Sequence, residues 1–214
     1  MKKIMKKVLI LFLLFVCIIN MDAQSQKPIK LSKSVIKQGT IMDVFQNRRS
    51  DREFSSKELS TEEISNLLWA SCGINRADGR RTSPTARNSQ EIDVYLINKE
   101  GAYLYVPTDD LLFPVYEGDL RNYLAAGQEF VNSAPVVLLI VGDVGKMNGG
   151  ENERNLKMMY CDGGIVSQSI NLYCAANNLA TVTRAMMDEK FLKDVLKLKD
   201  TQYLILNNPI GYKK

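Results

Sequence analysis

The run Val-Val-Leu-Leu-Ile-Val at 136–141, entered directly from Pro135, is the strongest constraint on how this chain folds. Consecutive apolar residues with β-branched members read as a strand covered on both faces. Such a strand has to lie centrally in a sheet, with layers above and below it. The flanking segments supply those layers. Thr40 and Asp43 have capping-box spacing, and Ile41, Val44 and Phe45 give one apolar face to a helix ending near Arg48. Ser60 and Glu63 open a second helix, whose Ile64, Leu67, Leu68 and Ser71 share a face and whose end Gly73 marks. A long helical pattern from about 155 to 178 carries Ile165, Ser169, Leu172, Tyr173 and Ala176 on one side. Its Gly163-Gly164 pair is placed to bend it or to admit a close neighbour.

Segments 92–98 and 102–106 are rich in Val, Ile, Leu and Tyr, and the turn Asn98-Lys99-Glu100-Gly101 between them predicts a hairpin. Asp119 is placed to cap a helix running through Phe130. Residues 181–184 read as a short strand and 203–206 as a last one, with an Asp188-capped helix carrying Phe191, Leu192 and Val195 between them. Helices mixed with hairpin strands imply an α+β class with a central, mainly antiparallel sheet flanked by helices. The fold is expected to start at Thr40. Residues 24–39 are polar and lysine-rich, with Pro28 and Gly39, and read as an extended arm or linker.

The first 23 residues have a different character. Lys2, Lys3, Lys6 and Lys7 precede 12 residues at 8–19 that are all apolar or Cys, and Ala23 ends a small-residue cleavage site. That is the pattern of a cleaved secretory signal peptide. As a helix the apolar run would span roughly 18 Å, short of the ~30 Å of bilayer hydrocarbon, so no stable membrane span is expected after cleavage. Val16 is bulky for the position before a lipidated cysteine, which weighs against lipidation of Cys17. Removing 1–23 takes away four lysines and Asp22, so the formal charge falls from +4 to +1. The electrostatic case for a nucleic-acid partner goes with it. A periplasmic or secreted mature domain of residues 40–214 is the expectation.

The chain has no histidine. Ser-His and Cys-His nucleophile pairs, His-ligated zinc and proximal-His haem are therefore excluded, and no metal site is expected. The mature cysteines Cys72, Cys161 and Cys174 are odd in number and include no C-x-x-C, which reads as buried thiols with at most one disulfide. Redox or group-transfer chemistry here needs a cofactor or another base.

Three polar clusters stand out. Arg48-Arg49-Ser50-Asp51-Arg52 with Phe54 sets three guanidiniums and a hydroxyl at a helix C-terminus. Cations there complement the helix dipole, but planar guanidinium forks with a serine also suit phosphate. Pro84-Thr85-Ala86-Arg87-Asn88-Ser89-Gln90 has the composition of a polar turn, and its amides could equally read a heterocycle with donors and acceptors. Thr181-Val182-Thr183-Arg184 follows the long helix, and Lys213 and Lys214 end the chain.

Taken in order, these clusters resemble the FMN-dependent nitroreductase family. The segment at 48–54 is similar to the family's N-terminal segment that holds the FMN phosphate and ribityl chain. Pro84-Thr85-x-x-Asn88-x-Gln90 resembles a stretch that reaches a flavin held mainly by the other subunit. Ala126-Gly127-Gln128 before Ala134-Pro135 is similar to the segment that puts a polar side chain near the flavin ring, and Asp162-Gly163-Gly164, 180–184 and Asn208-Pro209-Ile210-Gly211-Tyr212 complete the pattern. The resemblance covers about 40–214 and departs from the family at Glu91-Ile92-Asp93 and at the early stop after Lys214. The helical insertion that covers the flavin in larger members is reduced here to 103–118.

The resemblance implies FMN at a homodimer interface. The cofactor-binding residues it implies are Arg48, Arg49, Ser50, Arg52, Pro84, Thr85, Ala86, Arg87, Asn88, Gln128, Thr183, Arg184, Lys213 and Lys214. No side chain is assigned a catalytic role, because the flavin carries the chemistry. Arg87 and Arg184 are the candidates for the cation beside the flavin pyrimidine edge. The implied reaction is ping-pong transfer from NAD(P)H, or from another donor in an exported protein, to small-molecule acceptors such as nitro compounds or quinones. An azoline-ring dehydrogenase and a non-catalytic flavin-binding protein are the alternatives on the same fold.

Overall fold

The computed structural model describes residues 27–32 and 40–214. The expected signal peptide at 1–23, Cys17 and most of the arm lie outside the described residues. The strands are β1 (Ile29–Lys30), β2 (Ile92–Ile97), β3 (Gly101–Val106), β4 (Leu111–Glu117), β5 (Val136–Asp143), β6 (Leu179–Thr181) and β7 (Gln202–Tyr212). The helices are α1 (Ile41–Asn47), α2 (Thr61–Cys72), α3 (Arg121–Ala125), α4 (Glu153–Ala176) and α5 (Glu189–Val195). The strands form one sheet in the order β1-β4-β3-β2-β5-β7-β6, with every pairing antiparallel.

β5 lies inside this sheet, between β2 and β7, and every one of its residues is buried. Side chains alternate across a strand, so its six apolar residues serve two cores at once. Val136, Leu138 and Ile140 pack with Leu67 and Leu68 of α2 and with Met159, Val166 and Ile170 of α4. Val137, Leu139 and Val141 pack on the other face with Leu124 of α3 and Leu192 of α5. α4 is brought close to the sheet by Gly163: a Cβ there would stand 2.9 Å from both Cδ1 and Cγ2 of Ile205. The glycine pair therefore serves close packing, and α4 runs unbroken through it.

The caps fall where the spacing predicts. Ser60 and Glu63 form a reciprocal capping box on α2, Gly73 ends that helix, and Asp188 accepts from the Phe191 N–H at the start of α5. Thr40 caps α1, but α1 buries no residue, and its Ile41, Met42 and Phe45 are exposed in the single chain.

Three sequence expectations need correction. The helix expected from Asp119 through Phe130 is only α3, followed by a 3-10 turn at Glu129–Ser133. Ala126 and Gly127 take φ of +46° and +87°, and Asp188 and Arg184 claim the carbonyls that a longer helix would use. Residues 103–118 hold no helix; they complete β3 and form β4, joined through Asp110 at φ +48°. The arm is not free, since Ile29–Lys30 pairs with Leu111 and Leu112 and Leu31 is buried. Cys72 and Cys174 are buried free thiols, whereas Cys161 is exposed. No helix of the described residues is long and apolar enough to cross a membrane.

Candidate functional site

α1 closes with the Arg48 N–H donating to Val44, and Arg48 itself is extended, so 48–55 leaves the helix as a strap. The strap is tied to two strand ends. The Asp51 N–H donates to the Thr181 carbonyl at 2.9 Å, the Ser55 N–H donates to the Tyr212 carbonyl at 2.8 Å, and Phe54 bridges to Lys213. Buried Phe54 sits between Ala134 and Ala180 as the anchor. These contacts lay the strap along the β6–β7 edge, with Asp51 at Thr181, Arg52 near Arg184 and Phe54 at Lys213.

The donors in this group are unequal. Arg49 pairs with Asp51 at 3.0 Å. Arg48, Ser50 and Arg52 are exposed, and among the described residues none of them has an acidic partner. Free guanidiniums and a hydroxyl on an ordered strap are what a phosphate monoester requires.

Behind them Arg184 is 6% exposed and almost fully engaged. Its Nε donates to Gln128 Oε1 at 2.8 Å, Nη1 to the Leu124 carbonyl at 2.9 Å and Asn207 Oδ1 at 2.7 Å, and Nη2 to the Ala125 carbonyl at 2.9 Å. No carboxylate pairs with it among the described residues. Burial first, and then the neighbouring Arg52, lower its pKa from the usual arginine value. Both guanidiniums stand against the Phe130 ring, at 6.0 Å for Arg52 and 5.6 Å for Arg184. The result is net positive potential behind the strap. Thr183 is fixed by Ser167 at 2.8 Å and by an Asn171 Nδ2 donor at 2.9 Å.

The 84–90 loop is a second, separate assembly. Its 3-10 turn at Ala86–Asn88 places Arg87, Asn88 and Gln90 at φ +57°, +55° and +50°, a region that non-glycine residues seldom occupy. Hydrogen bonds hold it there. The Asn88 N–H donates to the Thr85 carbonyl at 3.0 Å, the Gln90 N–H to Thr85 Oγ1 at 2.9 Å, and the Ala86 N–H to Asp162 Oδ2 on α4 at 2.7 Å. The outcome is that Pro84, Arg87 and Asn88 point to the exterior while Thr85 and Ala86 face inward.

No hydrogen bond or ion pair among the described residues joins the loop to the strap. On α4, Asp162 meets the loop and Ser167 meets Thr183, five residues on and so about 140° around the helix. Ile41, Met42 and Phe45 of α1 and Tyr160 and Ile165 of α4 are exposed apolar side chains. A groove of about 920 Å³ beside α5 shares no residue with either assembly; Lys190, Lys193, Asp194, Lys197 and Asp200 line it, and it reads as a solvated face.

Sequence reasoning did not single out Phe130, Asn207 or the burial of Glu91 beside Asp162. Phe130 carries no pattern of its own. Glu91 was visible only as a departure from the resembled motif, although an acidic residue opening a buried strand is itself a signal. Among the described residues no group of three or more acidic or cysteine side chains is arranged to hold a metal ion.

Comparison with known proteins agrees with this geometry. A family model described as "Nitroreductase family" matches residues 45–212. A curated Methanocaldococcus jannaschii protein, provisionally named a nitroreductase, is 27% identical over 180 residues, which is 80% of this chain and 90% of that protein. A crystal structure from Ralstonia eutropha, also provisionally named a nitroreductase, superposes with a TM-score of 0.82 at 30% identity, covering 88% of this chain and 90% of that one. An FMN-dependent nitroreductase from Clostridium difficile shares the fold at a TM-score of 0.59 and 15% identity, over 81% of this chain and 87% of that one.

Proposed function

This chain belongs to the nitroreductase family of oxidoreductases, and from that premise we propose that it binds FMN and passes reducing equivalents in two half-reactions. The donor in this reading is NAD(P)H or another donor, and the acceptor is a nitro compound or a quinone. The observation that carries it is the strap: Arg48, Ser50 and Arg52 are exposed and, among the described residues, free of acidic partners, with the Arg184 charge buried behind them. A phosphate dianion would compensate that charge, so the residues present fit the group.

Bound FMN would accept a hydride from the donor and deliver electrons to the acceptor. The rest falls to the protein. Arg48 and Ser50 hold the phosphate, with Arg49, Lys213 and Lys214 adding positive charge. Arg52, Thr183 and Gln128 would contact the same cofactor. Arg184, held by four hydrogen bonds, acts through its field and favours negative charge on the reduced ring system. Thr85, Ala86, Arg87 and Asn88 come from the second subunit of a homodimer, and Pro84 sets the entry to that loop. That no hydrogen bond or ion pair joins the loop to the strap among the described residues, together with the exposed apolar side chains of α1, supports that assignment. The signal-like N-terminus supports a periplasmic or secreted setting, where the donor would be a protein or a quinol if nicotinamide is scarce.

The test is the absorption spectrum and flavin stoichiometry of the purified protein, followed by stopped-flow mixing with NADH, NADPH and a quinol and then with nitroaromatic and quinone acceptors. Flavin bands at one FMN per chain with separable reductive and oxidative phases are expected. Protein that neither carries FMN nor takes it up would overturn the reading.

A further inference from the structure

Glu91 is 0% exposed, and with its carboxyl ionised neither oxygen finds a hydrogen-bond partner among the described residues. A buried carboxylate in that condition is costly, whereas a carboxylic acid has a proton to donate. Its neighbour is the Asp162 carboxyl of α4, which in turn accepts the Ala86 N–H at 2.7 Å. We propose that Glu91 is held as the neutral acid, donating its proton to Asp162, and that this carboxyl–carboxylate pair is the latch that keeps the 86–90 loop in its strained shape.

The loop needs a latch. Three non-glycine residues within four positions have positive φ, a region that costs free energy for L side chains, and Arg87 and Asn88 have no buried side chain to secure them. Asp162 can orient toward both Ala86 and Glu91 only while one proton lies between the two carboxyls. Two full negative charges there would repel, and Asp162 would release the Ala86 N–H.

The surrounding groups leave the pair without a neutralising cation. The Thr85 side chain and the Glu91 backbone N–H favour the ionised form, but burial and Asp162 outweigh them. Lys146, after β5, is occupied by Asp93 of β2 at 2.6 Å, and Arg81 gives Nη1 to the Ile92 carbonyl at 2.7 Å. Asp143 of β5 donates its N–H to the Glu91 carbonyl and caps Gly145 with its carboxylate. Burial, and then the adjacent Asp162, push Glu91 up to about 7 from an ordinary 4.5. The closed loop therefore holds a proton that the open loop gives up. Opening becomes easier as pH rises from about 4.5 to about 7, by up to roughly tenfold per unit, and then levels off. Glu91 and Asp162 are thus positioning residues for the loop. The consequence for flavin binding rests on the reading under Proposed function; the latch itself does not.

Hydrogen exchange of the 84–91 segment in the purified full chain tests this, with protection corrected for intrinsic rates at each pH. Wild-type protection should fall between pH 5 and pH 7 and then stay level, while Glu91→Gln, whose amide can donate at every pH, should be flat. A flat wild-type profile, or the same fall in Glu91→Gln, overturns the latch. Should Glu91→Gln fold poorly, infrared difference spectra of the wild type replace it: a buried carboxylic-acid carbonyl band must be present at pH 5 and lost by pH 8, and its absence is equally decisive against the proposal. FMN affinity measured over the same pH range separates the two readings, because a pH-gated loop in a protein that binds no FMN leaves the latch standing and removes the flavin.

Discussion

The guanidinium of Arg184 closes the open end of the helix that stops at Ala125, its Nη2 donating to the Ala125 carbonyl at 2.9 Å. Residue 184, just beyond β6, thereby finishes a helix some sixty positions earlier, and it ties Leu124, Gln128 and Asn207 into the same knot. Arg184→Ala would leave two helix-end carbonyls and an asparagine oxygen buried without donors, each worth about 1–3 kcal/mol. A loss of about 3 kcal/mol or more in urea-unfolding stability is expected, with the flavin-free protein affected as strongly as the loaded one. A loss confined to the flavin-bound form would assign Arg184 to the ligand and not to the scaffold.

Arg48 is the converse case, exposed and free of acidic partners, so its removal should hardly touch the fold. Arg48→Ala is expected to leave the melting temperature of the flavin-free protein unchanged. It should weaken FMN binding by about 1.5–3 kcal/mol, roughly 10- to 150-fold, through loss of a charge-assisted contact. Fluorescence titration of FMN reads this directly, and an unchanged dissociation constant would remove Arg48 from the phosphate site.

The contact of Gly163 with Ile205 fixes how closely α4 lies on β7. Gly163→Ala sets a methyl group 2.9 Å from two Ile205 carbons and is expected to destabilise by about 1–3 kcal/mol through overpacking. Ile205→Ala opens room for that methyl. The double variant should lose less stability than the two single losses combined, with a coupling of about 1 kcal/mol measured by urea unfolding. Strict additivity would show that α4 shifts to relieve the contact.

Glu91 should also register in global stability. Its folded pKa of about 7 lies above its unfolded value near 4.5, so the native state holds the extra proton between those limits. Stability from this group is full below about pH 4.5, falls as pH climbs through 7 and is constant beyond. The stability of wild type minus that of Glu91→Gln, followed by urea unfolding from pH 4.5 to 8, should decline with this profile. A difference that does not vary with pH would place the Glu91 proton in solvent.

How much of this was legible in the sequence depends on the range of the interactions. Local signals were reliable: the β5 run, the Ser60–Glu63 box and the Asp188 cap all depend on residues within one turn or one strand. α3 was overread because its carbonyls are claimed by Asp188 and Arg184, more than fifty residues away. β4 was missed because Pro114 breaks its pattern, although it pairs with Tyr103 beside a register shift. The membership of the strap was readable from order and residue type. Its assembly was not, since the ties to Thr181 and Tyr212 run through backbone groups that every residue has.

The exposed α1 is the feature that most favours the proposed homodimer. A helix with a capped start and an apolar stripe of Ile41, Met42 and Phe45, yet no buried residue, gains little stability by itself. Covered by a second copy, that stripe and the surface around it would join an obligate interface burying well over about 2,000 Å². Such a dimer would also bring the loop of one subunit to the strap of the other. Mixed dimers distinguish this from a site built within one chain. When Arg48→Ala and Asn88→Ala subunits are combined, a shared site gives one defective position carrying both changes and one intact position carrying neither. A single-chain site gives two defective positions. Light scattering with FMN stoichiometry on the purified mixed dimer should therefore find one full-affinity FMN per pair of chains, because the loop and the strap of each site come from different copies. A monomer that binds FMN at full affinity, or a mixed dimer with no full-affinity site, would rule that arrangement out.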